Sequence, residues 1–203
     1  HDVVVLNEAI MRDLGIGVPT RTLRVGERPL EAALPPSIRD LVRGRFQVIP
    51  EFLGRRGVVR WERFDGVVRR YRAAIGEVAA SRAVAKDPRF CWTLGVWAAA
   101  GAPIDHVLVS LRAIDEVVRS RIALGHLAPG AAAGARNALT YAVGLCLLAA
   151  REHRLEHAVV WFPDFLRDPA GLFAAMRFPE PVPRQRFDEA FARVVDPDRA
   201  PEA

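Results

Sequence analysis

Two apolar runs of strand length, Asp105–Leu111 and His157–Phe162, stand among stretches whose apolar residues recur with helical spacing. Such runs suit strands of a parallel sheet, which are covered on both faces and need not alternate apolar with polar residues. A shorter run, Ala83-Val84-Ala85, ends in Lys86-Asp87-Pro88-Arg89 and reads as a third buried strand with a functional loop at its carboxyl end. Helical periodicity fills the intervals. It predicts helices over Asp2–Leu14 with Gly15 as the stop, Phe64–Ala80, Phe90–Ala100, Asp115–Leu124, Gly134–His153 and around Pro169–Met176. Strand and helix in strict alternation predict an α/β domain built on a doubly wound parallel sheet flanked by helices. Ligands of such sheets lie beyond the carboxyl ends of the strands, where Lys86, Arg112 and Asp164 fall.

With 203 residues the chain suits one such domain, 1–203, with a full core. Pro19, Pro29, Pro35 and Pro36 break Gly17–Pro36 into loop, Ser37 is placed to cap a helix over Ile38–Phe46, and a short helix is expected near Phe187–Val194. The chain begins at His1 rather than Met, as a processed, trimmed or partial chain does.

A net charge of +5 favours anionic partners. The cations are nonetheless scattered in ones and twos, as in Arg55-Arg56 and Arg69-Arg70, which speaks against a nucleic-acid surface. Of the 29 basic residues 28 are Arg, and the single Lys is Lys86. A chain that has exchanged nearly every lysine retains one where a compact ammonium does what a planar guanidinium cannot.

Cys91 and Cys146 offer no metal-ligand spacing and read as buried free thiols; no His spacing suits a metal either. The longest apolar run, Ala138–Ala150, is about 13 residues. A bilayer span needs roughly 20, so a core helix and no membrane span are expected. No signal peptide is recognisable, and a cytoplasmic location is the expectation.

Arg112 ends the second apolar run, and Ser120 follows eight residues later, after about two turns of helix. A guanidinium fork and a hydroxyl so spaced can converge on one phosphate. Around them Lys86-Asp87-Pro88-Arg89-Phe90, Trp92-Thr93-Leu94, Trp97 and Val107-Leu108-Val109 stand in an order that resembles the sulfotransferase superfamily, bacterial members in particular. A later block, Val159 to Pro169, is similar to a further segment of that family, with Pro163 in place of its acidic residue. Asp2–Leu14 is similar to the helix that follows the family's nucleotide loop.

This resemblance implies a P-loop-type fold and a co-substrate, 3′-phosphoadenosine 5′-phosphosulfate, with no metal. Arg112 and Ser120 are then expected to hold its 3′-phosphate, and Lys86 to neutralise charge at the transferring sulfuryl group. The acceptor is expected to be a hydroxyl or amine of a small molecule, glycan or peptide. The family's Gly-rich phosphosulfate loop has no counterpart in these residues and is expected upstream of His1, with the first strand. His1, Asp2 and Glu8 are the nearest candidates for a general base. The alternative is a truncated or degenerate relative that binds nucleotide or protein without catalysis.

Overall fold

The computed structural model describes residues 2–16, 63–178 and 181–195, and the backbone of two short strands, β1 (Arg24–Val25) and β2 (Arg28–Pro29), which pair antiparallel. The expected helix over Ile38–Phe46 lies outside the described residues. The remaining elements run α1 (Asp2–Asp13), α2 (Phe64–Ala80), α3 (Phe90–Ala99), β3 (His106–Arg112), α4 (Ile114–Ala123), α5 (Ala132–Glu152), β4 (Glu156–Phe162), α6 (Asp164–Arg167), α7 (Pro169–Met176) and α8 (Arg184–Val194).

The protein is mixed α/β, with a small parallel sheet, β3 beside β4, flanked by helices. The pair is in register from His106 opposite Glu156 to Arg112 opposite Phe162, so both strands end at one edge. Val107, Val109 and Leu111 turn one face of β3 onto a cluster formed with Leu94 of α3 and Cys146, Ala149 and Ala150 of α5. The register puts Val159 and Trp161 of β4 on that same face, where they remain 39% and 50% exposed.

The expected strand Ala83–Ala85 is a correction. These residues are exposed coil, Val84 67% so, and pair with no strand. The segment is held instead by Asp87, whose carboxylate is drawn into the core by α1, and Pro88 beside it has no N–H for a ladder.

Helix α1 shows why. A surface helix keeps one polar face, but Val3 and every residue from Val5 to Met11 are buried, as in a helix at the centre of a domain. Gly15, at φ 79°, takes the left-handed conformation that ends it. Helix α2 lays Val67, Val68, Tyr71, Ala74, Ile75 and Val78 against α1, and the Tyr71 hydroxyl donates to Asp13 at 2.9 Å. Helix α3 completes this layer with Val96 and Trp97. Helix α5 is shared: Cys146, Ala149 and Ala150 face the sheet cluster while Ala135 packs with Val118 of α4. With its leading turn it spans Pro129–Glu152, long and apolar enough to cross a bilayer by length and composition, a test that a core helix also meets. Beyond β4, Phe173, Phe178, Phe187 and Phe191 stack α7 against α8.

Candidate functional site

At the carboxyl edge of the sheet, Arg112 is the last residue of β3. Its guanidinium lies 5.0 Å from the centre of the Phe162 ring, the residue opposite it in the register. Its Nε donates to Glu116 Oε2 at 2.9 Å. Glu116 belongs to the first turn of α4, where a carboxylate also complements the helix dipole. The ring and the carboxylate together fix the guanidinium plane. Nη1 and Nη2 have no hydrogen-bond partner among the described residues, so the outer fork of the guanidinium is available to an anion.

Ser120 lies one turn beyond Glu116, on the same side of α4, and is half-buried. Sequence spacing thus places Arg112, Glu116 and Ser120 in line, with the acid between the two expected anion ligands. Asp115 and Glu116 weaken the pull of the α4 N-terminus on an anion, so attraction has to come from the guanidinium. Asp115 is itself engaged by Arg136, whose hydrogen bond and charge hold its carboxyl below the usual range.

Lys86 sits in the coil between α2 and α3, exposed and without an ion-pair partner among the described residues. No hydrogen bond or ion pair joins it to Arg112 or Ser120. Helix α3, which follows it, shares an apolar cluster with β3 through Leu94 and leads to that strand through residues 100–105.

Next to Lys86 lies a buried polar network that ties the Lys86–Arg89 turn to α1. Asn7 of α1 is fully buried. Its Nδ2 donates to Asp87 Oδ2 at 3.0 Å, and its Oδ1 accepts from Thr93 Oγ1 and Trp97 Nε1, each at 2.7 Å. Arg89 donates to Asp87 Oδ1 from its backbone N at 3.1 Å and from Nη1 at 3.0 Å, and Nη2 reaches Glu8 Oε1 at 2.5 Å. One guanidinium thus serves two buried carboxylates and pins the Lys86–Arg89 turn to α1.

Glu8 is 2% exposed, and its Oε2 has no hydrogen-bond partner among the described residues. Burial pushes its carboxyl pKa up, against the opposing pull of Arg89. A carboxyl raised in the folded state favours folding while protonated. That contribution is complete below the ordinary value of 4.5 and is lost as pH rises through the raised value. Glu8→Gln is therefore expected to flatten the fall in thermal midpoint as pH rises above 4.5; parallel profiles for the two proteins would show that Glu8 does not titrate there.

The other base candidates differ. His1 lies outside the described residues, and Asp2 is bound to Arg82 at the start of α1. His106, at the start of β3, holds the Ala175 carbonyl through Nε2 at 2.8 Å. Among the described residues, no group of three or more His, Cys, Asp or Glu is placed to hold a metal ion.

Neither of two cavities on the described surface is lined by Lys86, Arg112 or Ser120. One, about 470 Å³, lies at the opposite edge of the sheet beside His106, His157 and Arg177. The other, about 570 Å³, is a groove between α3 and α5 lined by Leu14, Phe64, Cys91, Trp92, Leu145 and Leu148, among others. No protein-family model, no curated protein and no solved structure matches the chain.

Proposed function

We propose that this chain carries the 3′-phosphate and lysine side of a sulfotransferase site, on a doubly wound sheet of the P-loop type. The full-length protein would move a sulfuryl group from 3′-phosphoadenosine 5′-phosphosulfate to a hydroxyl or amine. The observation that supports this reading is the Arg112 guanidinium, oriented by Glu116 and Phe162 at the carboxyl edge of a parallel pair with its outer nitrogens unpartnered. A planar fork held in this way matches two oxygens of a phosphate, and Ser120 adds a hydroxyl.

The co-substrate supplies the activated sulfuryl group, and transfer asks for in-line positioning and charge neutralisation. Lys86 is the residue proposed for that charge. It is the single lysine, it has no ion-pair partner among the described residues, and it opens a turn anchored by Asp87 and Arg89. A second reading, a nucleotide-binding module without catalysis, is favoured by one fact. The 203 residues contain no Gly-rich segment suited to the 5′-phosphosulfate.

Calorimetry with 3′-phosphoadenosine 5′-phosphate tests the common core of both readings. Arg112→Ala is expected to weaken binding by roughly 10- to 100-fold, the worth of a charge-assisted hydrogen-bond pair. Ser120→Ala is expected to weaken it by about 5-fold, the worth of a neutral hydrogen bond. Equal binding by wild type and both variants would remove the assignment.

A further inference from the structure

The groove between α3 and α5 leads to the chain's two cysteines, Cys91 and Cys146. They belong to neighbouring helices and to one apolar cluster, in which half-exposed Cys91 packs against buried Cys146. The helices approach closely there. A β-carbon on Gly95, one turn beyond Cys91, would stand 3.6 Å from the Ala149 β-carbon, about one turn beyond Cys146. Helices this near bring facing β-carbons toward the separation a disulfide requires.

We propose that Cys91 and Cys146 form a peroxide-sensitive dithiol site, Cys91 reacting first through the groove and Cys146 resolving it to an intramolecular disulfide. Access and chemistry divide the two roles. Cys91 lines the groove, and it lies in the first turn of α3, where the helix dipole favours a thiolate. Interaction with the Cys146 thiol holds Cys91 below the range of a free thiol. The same interaction, with burial, pushes Cys146 up.

In the first step the Cys91 thiolate attacks one oxygen of a hydroperoxide and the O–O bond breaks. Cys91 becomes a sulfenic acid, and the departing oxygen takes a proton. In the second, Cys146 gives up its proton and its sulfur attacks the Cys91 sulfur. The S–O bond breaks, the S–S bond forms and water leaves. With hydrogen peroxide the two thiols lose two electrons and two protons in all, and the peroxide becomes two waters. The disulfide ties α3, which follows the Lys86–Arg89 turn, to the long helix α5.

The test treats the 203-residue chain with hydrogen peroxide, followed by thiol titration and peptide mapping by mass spectrometry. Both thiols are expected to disappear together, with the mass lower by two hydrogens, a linked Cys91–Cys146 peptide and full recovery on reduction. In Cys146→Ala, Cys91 is expected to take up oxygen; in Cys91→Ala, Cys146 is expected to stay reduced under the same dose. Oxygen addition at wild-type Cys91 with Cys146 still a thiol would overturn the proposal. So would disulfides only between chains, or two thiols that survive the dose. The wild-type peptide map decides the matter even where a variant fails to fold.

Discussion

Arg89→Ala is expected to destabilise the fold by about 3 kcal/mol, the cost of removing one partner from a buried ion pair. In a domain of this size that is roughly 10 °C of thermal midpoint. The size follows from geometry. Among the described residues Arg89 alone donates from a cation to both Asp87 and Glu8, whose side chains are 0% and 2% exposed. Without it two buried carboxylates lose the guanidinium they share, and the turn that carries Lys86 keeps only the Asn7–Asp87 bond of its ties to α1. Arg89→Lys is expected to recover only part of the loss, because one ammonium cannot copy a fork aimed at two acids. A midpoint for Arg89→Ala within about 2 °C of wild type, less than 1 kcal/mol in a domain of this size, would show that the network is not a structural tie.

Asn7→Leu is expected to cost about 4 kcal/mol although it places an apolar side chain in an apolar core. Leucine leaves Asp87 Oδ2 and the Trp97 N–H without their Asn7 partners. An unmade bond to a buried group costs about 1–3 kcal/mol, more where the group is charged. Thr93 loses less, since its hydroxyl also reaches the Arg89 carbonyl at 3.2 Å. In denaturant the transition midpoint should fall with its slope unchanged, since the surface exposed on unfolding is nearly the same. Because Asn7 and Arg89 both act on Asp87, the double variant should be less unstable than the sum of the two. Additive losses would mean that the two residues do not share Asp87.

How far the sequence carried each feature depends on the range of the interaction that fixes it. Helix α2 was legible to the residue, because Val67, Val68, Tyr71, Ile75 and Val78 repeat at helical spacing on one face. The strands at His106–Arg112 and Glu156–Phe162 were legible within a residue, as was Arg112 at a strand end. Ala83–Ala85 failed because three apolar residues carry no period, and a long-range bond from Asp87 to Asn7 decides the path. The network left one trace in sequence, two adjacent polar residues, Asn7 and Glu8, inside the otherwise apolar stretch Val3–Met11. The two cysteines were legible as free thiols, but their contact depends on the register of α3 against α5, which no local pattern encodes.

The ligand that probes Arg112 most directly differs from its control by one phosphate. Calorimetry should compare 3′-phosphoadenosine 5′-phosphate with adenosine 5′-phosphate on the wild-type chain. The 3′-phosphate nucleotide is expected to bind at least about tenfold tighter, an advantage that Arg112→Ala removes. Equal affinity for the two nucleotides would contradict a 3′-phosphate site at the end of β3.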